Sequence, residues 1–247
     1  MSELRAILFD IDDTLCDTTG FARQARRNAV KAMVAAGLKA DPEVVFAELE
    51  EVIAEFSSNY EHHFDKLLLR LPRESLTNLN RSLVVAAGVA AYHDTKFHEL
   101  RTFPGVKELF HDLNAAGLRL GVITHGLSVK QAEKLVRLGL VPYLDREAVF
   151  ISDEIGISKP NPKLYQLALR TLALQPPQVM YVGDNPKNDI APPKKLGMVT
   201  VWAARAARSQ PTPAETPDHS IRDFDELRAL LIAHYGVAIA PKTIPAS

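Results

Sequence analysis

The feature that most constrains the fold is a short apolar run near the start of the chain that stops at acidic residues. The run is Ala6–Phe9; Asp10 follows at once, and Asp12, Asp13 and Thr14 come next. An uninterrupted apolar run of this length predicts a β-strand buried on both faces of a parallel sheet. Carboxylates after such a strand lie where open α/β sheets bind ligands, although a strand that ends in a solvated acidic turn has the same pattern.

The bulk composition narrows the class of protein. The chain has 247 residues and a formal net charge of −1, which fits a main domain with an insert and argues against nucleic-acid or anionic membrane partners. Cys16 is the single cysteine, so no disulfide can form within the chain and a reducing compartment is favoured. Without a leader-like segment or a membrane-length apolar stretch, we expect a cytoplasmic protein with no membrane partner, either monomer or homodimer.

Two periodicities divide the chain. Between Asp17 and Arg101 the pattern is helical, with no convincing strand. Helices are predicted there over 21–36, from an Asp41 N-cap and Pro42, over 60–71 and over 75–100. Beyond Arg101, strands and helices alternate. Strands are predicted over 118–123, 148–151, 179–182 and 198–202, with helices over 106–116, 128–138, 162–172, 189–196 and 224–235, and a long loop over 203–220.

Alternation of this kind predicts an α/β fold, with a Rossmann-like parallel sheet and right-handed crossovers. The helical block interrupts that sheet directly after its first strand. The predicted domains are a core of residues 1–16 and 101–235, an all-helical insertion of residues 17–100, and a C-terminal tail of residues 236–247.

Reactive side chains follow several of the predicted strands. They are Asp10 and Asp12, Thr124, Lys159 before Pro160, Asp184, and Asp189. Because the carboxyl ends of parallel strands share one edge of a sheet, these groups can converge although they are far apart in sequence. Clustered carboxylates repel one another and favour a bound cation, and a set of oxygen ligands favours Mg²⁺. A metal ion, a lysine and a hydroxyl together suit a phosphoryl group.

With these residues in this order, the sequence resembles the haloacid dehalogenase-like (HAD) hydrolases, in the branch with a helical cap between its first two motifs. The matching segments are Asp10-Ile11-Asp12-Asp13-Thr14-Leu15, Thr124-His125-Gly126, Lys159-Pro160, and Gly183-Asp184 through Asp189. The resemblance extends over the chain to about residue 235. It implies that the helical insertion is the cap, and that the protein is a Mg²⁺-dependent phosphatase of a small phosphorylated metabolite.

The resemblance also implies the roles of the carboxylates. Asp10 is the expected nucleophile, which forms an aspartyl-phosphate and binds Mg²⁺. Asp12 is the expected acid/base, with its backbone carbonyl on the metal. Asp184 is a metal ligand, and Asp189 acts on the metal through water or orients Lys159.

The remaining implied residues bind the phosphoryl group. Thr124, His125 and Gly126 form the second motif, and Lys159 neutralises phosphate and nucleophile. The family usually has asparagine where this chain has His125, which either binds substrate or only fills the turn. In the insertion, residues 59–66 are either an exposed helix start or a lid face that meets the leaving group.

Three other functions remain open. A phosphomutase or other phosphotransferase can use the same aspartyl-phosphate. A 2-haloacid dehalogenase is disfavoured by Asp12, because a halide leaving group needs no acid. A non-catalytic binding protein is disfavoured because every expected catalytic group is present. The substrate is not specified by any motif.

Overall fold

A parallel β-sheet organises the parts of the chain before Thr18 and after Leu100 in the computed structural model, which describes residues 3–242. Its strands are β1 (Ala6–Phe9), β2 (Arg119–Thr124), β3 (Val149–Ile151), β4 (Val179–Gly183), β5 (Val199–Ala203) and β6 (His219–Ile221). Their spatial order is β3-β2-β1-β4-β5-β6, and every pair is parallel. The predicted α/β fold with a Rossmann-like sheet is confirmed.

The helices belong to two compact units. Residues 18–100 contain α1 (Thr18–Ala35), α2 (Pro42–Phe56), α3 (His63–Arg70) and α4 (Arg81–Glu99). The unit built on the sheet contains α5 (Val106–Ala115), α6 (Ser128–Arg137), α7 (Ser152–Ile155), α8 (Pro162–Leu172), α9 (Ala191–Lys195) and α10 (Phe224–Tyr235). Within residues 3–242, no helix combines the length and the apolar character that a bilayer-spanning segment needs.

The register of the central strands sets the position of the reactive groups. Phe9 in β1 pairs with Val122 in β2 and with Val182 in β4. The residues that follow these three strands therefore lie together at one edge of the sheet. The strand order also reverses direction at β1, and such a switch point is where open α/β sheets bind ligands.

Apolar packing on the two faces of the sheet holds this edge in place. On one face the Phe9 ring lies 4.8 Å from the Phe110 ring and 6.4 Å from the Phe224 ring. On the other face Tyr165 and Tyr181 pack edge to face at 5.1 Å. All of these side chains are buried, and each phenylalanine contributes about 1.5–3 kcal/mol by leaving water.

The helical unit has its own apolar core, which includes Met33, Leu49 and Leu67. Asp41 caps α2 as predicted, since its side chain accepts from the amides of Glu43 and Val44 at 2.8 and 3.2 Å.

The single helix predicted over 75–100 is wrong in its first turns. A 3₁₀ turn spans Arg73–Leu76, and α4 begins only at Arg81. The break lies at two asparagines, because Asn78 adopts a left-handed φ of 58° and Asn80 caps α4 by accepting from the Leu83 amide at 3.2 Å.

The loop predicted over 203–220 also needs correction, because β6 begins within it. The strand is anchored by Asp218, whose carboxylate accepts from the amide and the hydroxyl of Thr200 at 2.9 and 2.7 Å. The described part of the predicted tail, residues 236–242, contacts α10: Arg228 donates to the Ala240 carbonyl at 2.7 Å, and Lys242 pairs with Asp225. Residues 243–247 of that tail lie outside the described residues.

Candidate active site

A buried lysine joins two of the predicted carboxylates. The ammonium nitrogen of Lys159 lies 2.8 Å from Asp10 Oδ1 and 2.7 Å from Asp189 Oδ1. Only 3% of the Lys159 side chain is exposed, and Asp189 is fully buried. In such a dry setting each ion pair is stronger than at a surface, and each unpaired charge is more costly.

A short turn positions Asp189. After β4 the chain makes one turn of π-helix over Pro186–Ile190, and Asp189 Oδ2 accepts from the Asn185 amide at 3.0 Å. Gly183 makes this possible, since a β-carbon built there would lie 2.4 Å from the Asp189 β-carbon. The glycine of the fourth motif therefore provides the space that Asp189 occupies.

The third carboxylate, Asp184, is held by contacts from two other segments. The Thr14 hydroxyl donates to Asp184 Oδ1 at 3.3 Å, and the Trp202 indole donates to the Asp184 backbone carbonyl at 2.8 Å. Side-chain oxygens of Asp10, Asp184 and Asp189 lie within 4.8 Å of one another. This is the group of three acidic side chains that the structure brings together at the edge of the sheet.

The electrostatics of the cluster reflect an excess of negative charge. Burial raises the pKa of Asp10 to about 7, because the favourable charge of Lys159 is opposed by Asp189 and Asp12. Burial and the charges of Asp10 and Asp189 raise the pKa of Asp184 to about 8. Burial disfavours the charged form of Lys159, but Asp10 and Asp189 outweigh it and raise the lysine pKa. One ammonium does not neutralise three carboxylates, so the site favours a cation.

Tyr181 supports the lysine from within the sheet, a contact that the sequence did not indicate. Its hydroxyl donates to the Ile123 carbonyl at 2.7 Å and accepts from Lys159 at 3.2 Å. Burial raises the pKa of Tyr181 well above its ordinary value, so the hydroxyl stays protonated. In the sequence Tyr181 is simply one member of an apolar strand.

The second motif follows β2 beside this cluster. Thr124 Oγ1 is buried and has no hydrogen-bond partner among residues 3–242. His125 is exposed, and its Nδ1 lies 2.6 Å from the Ser158 hydroxyl. Gly126 adopts a φ of 141° and donates its amide to the Ser152 hydroxyl at 3.0 Å. The orphaned threonine hydroxyl is a free polar group that a bound ligand can satisfy.

Asp12 does not belong to the group of three clustered carboxylates, and its side chain contacts α6. Its Oδ1 is 2.5 Å from Lys134 Nζ, and its Oδ2 accepts from Gln131 Nε2 at 3.0 Å. Neither α6 residue was identified from the sequence. The sequence shows only that the two residues, three positions apart on a predicted helix, share one face of it. It does not show which loop that face contacts.

Asp13 has the conformation expected of a turn residue. Its φ is 57°, in the left-handed region that aspartate tolerates, and its buried carboxylate pairs with Arg208 at 3.3 Å. The structure thus gives the Asp13 carboxylate an arginine partner.

Comparison with known proteins identifies a family. The family model described as haloacid dehalogenase-like hydrolase matches residues 4–197. A glyceraldehyde 3-phosphate phosphatase of Methanopyrus kandleri is 43% identical over 230 residues, which cover 92% of this chain and 96% of that protein. A protein of the same name from Pyrococcus abyssi is 44% identical over 199 residues, or 81% of each chain.

A solved structure supports the same fold. The crystal structure of a HAD phosphatase from Thermococcus onnurineus has a TM-score of 0.65 to this chain. The match covers 92% of this chain and 98% of that one, at 24% identity. At that identity the similarity concerns the fold alone.

Proposed function

Because the chain belongs to the haloacid dehalogenase-like hydrolases, we propose that it is a Mg²⁺-dependent phosphatase that hydrolyses a small phosphate monoester through an aspartyl-phosphate. The observation that carries the proposal is the buried Lys159, held between Asp10 and Asp189 beside Asp184. An ammonium among three carboxylates at a switch point suits the neutralisation of a transferring phosphoryl group.

The donor set fits a hard divalent cation. Asp10, Asp184 and Asp189 offer carboxylate oxygens within 4.8 Å of one another, and oxygen ligands are what Mg²⁺ prefers. The raised pKa values of Asp10 and Asp184 support the need for added positive charge. These three side chains, with the backbone carbonyl of Asp12, would hold the ion. A bound ion would supply positive charge to the phosphoryl oxygens and to the nucleophile.

In the first step Asp10 is the nucleophile. A carboxylate oxygen of Asp10 bonds to phosphorus while the bond from phosphorus to the ester oxygen breaks. The carboxyl group of Asp12 gives its proton to the departing oxygen, so the alcohol leaves neutral. Lys159 offsets charge on the phosphoryl oxygens, and the unpartnered Thr124 hydroxyl supplies a further donor.

In the second step water releases the phosphate. Asp12, now a carboxylate, takes a proton from water as the water oxygen bonds to phosphorus. The bond between phosphorus and Asp10 breaks. Asp10 is thereby restored as a carboxylate, and Asp12 as a protonated acid. The sum of the two steps converts ester and water into alcohol and inorganic phosphate.

Glyceraldehyde 3-phosphate is the substrate that we propose. The support is that relatives named glyceraldehyde 3-phosphate phosphatase match most of the chain at 38–44% identity. We also propose that residues 18–100 act as a cap that selects the substrate, since they form a separate unit inserted directly after the first motif. We propose a cytoplasmic location and no nucleic-acid partner.

A panel of phosphorylated metabolites, assayed with Mg²⁺ and with EDTA, tests the proposal. We expect phosphate release from glyceraldehyde 3-phosphate that requires Mg²⁺. Asp10→Asn removes the nucleophile and should abolish turnover without lowering the melting temperature. Full activity of a clean Asp10→Asn preparation would refute the mechanism, and isomerisation of a sugar phosphate without phosphate release would identify a mutase.

A further inference from the structure

We propose that Lys134 and Gln131 are positioning residues that together hold the Asp12 carboxylate for proton transfer. We call the two α6 side chains the Asp12 clamp. The inference rests on the proposed function, because it concerns the acid/base of that reaction. It adds two residues that lie outside all four motifs.

The clamp gives each oxygen of the Asp12 carboxylate its own donor. Lys134 Nζ lies 2.5 Å from Oδ1, and Gln131 Nε2 lies 3.0 Å from Oδ2. The two donors are three residues apart on α6 and therefore share one face of the helix. A carboxylate bound at both oxygens does not turn without losing a charge-assisted hydrogen bond.

Partial burial strengthens this arrangement. The exposed fractions are 16% for the Lys134 side chain and 28% for the Asp12 side chain. Water screens such a pair less than it screens a fully exposed ion pair. The contact therefore restrains Asp12 more than an ordinary surface pair would.

The hydrogen bonds of Gln131 show that its orientation is set by acceptors. Its Nε2 donates both to Asp12 and to the His125 backbone carbonyl, at 3.0 and 2.9 Å, so the amide has one consistent orientation. Its Oε1 is buried and has no partner among residues 3–242. An unpaired buried acceptor lowers stability. The two hydrogen bonds from Nε2 join the loop after β1 to the loop after β2.

The start of α6 is itself anchored, which fixes the clamp relative to those loops. Asp153 Oδ2 accepts from the amide and the hydroxyl of Ser128, at 3.0 and 2.9 Å. At Gly126 a β-carbon would lie 2.6 Å from Gln131 Nε2, so the loop and the glutamine are in close contact. The helix therefore presents the clamp from a defined position.

The functional consequence follows from the geometry of proton transfer. Asp12 must reach first the departing oxygen and then the attacking water, each within hydrogen-bond distance. A misplacement of about 1 Å can cost on the order of 100-fold in rate. Loss of Lys134 should therefore lower kcat, while KM, which depends on the phosphate-binding groups, changes little.

Kinetics of Lys134→Met, Gln131→Met and Lys134→Arg test the clamp. With glyceraldehyde 3-phosphate we expect Lys134→Met to lower kcat by about 10- to 100-fold, Gln131→Met to lower it less, and Lys134→Arg to restore most of it. Lys194→Met is the matched control, since it breaks a lysine–aspartate pair outside the site and should leave kcat unchanged.

Two readouts separate positioning from a structural role. The pre-steady-state burst of p-nitrophenolate from p-nitrophenyl phosphate should change less than alkyl-ester turnover, because that leaving group needs no proton. In an Asp12→Asn background, Lys134→Met should cause no further loss of the residual turnover of glyceraldehyde 3-phosphate, whereas in the wild-type background it should lower that turnover. Equal fold-losses of glyceraldehyde 3-phosphate turnover in both backgrounds, or a Lys134→Met enzyme as active as the wild type, would overturn the proposal.

Crystal structures of the wild type and of Lys134→Met give a test that is independent of activity. We expect Asp12 to contact α6 in the wild type and to change its side-chain conformation in the variant. A wild-type Asp12 turned away from α6, or unmoved in the variant, would overturn the clamp. A wild type that releases no phosphate from any ester would instead refute the proposed function, and the crystal structures would still decide the clamp.

Discussion

Replacing Lys159 by methionine should destabilise the α/β unit strongly, because it leaves two buried carboxylates without their shared cation. The ammonium lies 2.8 Å from Asp10 and 2.7 Å from Asp189. At an effective dielectric constant of about 20, each contact corresponds to a Coulomb attraction of about 6 kcal/mol. The desolvation of the charges offsets much of this attraction. Removal of one partner of a buried pair therefore costs about 3–5 kcal/mol.

The loss should be visible as a lower melting temperature. For a chain of this size, 1 kcal/mol corresponds to about 2–4 °C. We therefore expect Lys159→Met to melt about 6–20 °C below the wild type in EDTA at pH 8. The deficit should shrink at pH 5, because Asp10, whose pKa is already raised to about 7 in the wild type, can then be protonated and needs no cation.

Differential scanning calorimetry with a matched control measures the effect. Lys194→Met breaks a pair with Asp218 at a similar distance, 3.0 Å, but with 40% and 38% of the side chains exposed. An exposed pair contributes about 0–1 kcal/mol, so this control should melt close to the wild type. If Lys159→Met melts no lower than Lys194→Met at pH 8, the lysine is not the cation that the cluster depends on.

Two further predictions concern the carboxylate cluster. Without metal, the melting temperature should fall as pH rises from about 4 to about 8, because Asp10 and Asp184 have folded-state pKa values of about 7 and about 8, above the ordinary 3.8, so their stabilising protons are lost over that range. Mg²⁺ should flatten this slope in calorimetry, and an identical slope with and without Mg²⁺ would contradict a metal site. Gly183→Ala should lower both phosphatase activity and the melting temperature, because its β-carbon would lie 2.4 Å from that of Asp189. Gly88→Ala, whose β-carbon would lie within 3.0 Å of the flexible Met33 side chain and 3.6 Å from the Phe64 ring, should have a smaller effect on the melting temperature, and equal effects would argue against the close contact at Gly183.

The sequence predicted the sheet and the family because both depend on local patterns. The run Ala6–Phe9 reads as a strand buried on two faces, and β1 is the strand where the sheet order reverses. The HAD resemblance is confirmed by the family model. The alternation of strands and helices, which predicts a parallel sheet, was enough to predict that Asp10, Lys159 and Asp184 lie at one edge of that sheet.

Where the local signal was weak, the sequence prediction failed. The strand β6 has three residues and lies at an edge, so no apolar run marks it within the loop predicted over 203–220. The break before α4 depends on Asn78 in a turn and Asn80 at the N-cap. Because asparagine favours both turns and caps, the sequence does not show at which residue the helix begins. The roles of His125 and of residues 59–66 stay predictions.

The opening stretch shows most clearly what only the tertiary structure decided. Its strand and its three acids are read directly from the sequence, since burial periodicity and residue type are properties of neighbouring positions. The separate partners of these acids are not: Lys159 binds Asp10, Lys134 and Gln131 bind Asp12, and Arg208 binds Asp13. Those pairings depend on how helices and loops distant in sequence pack against the sheet edge, and no local pattern encodes that packing.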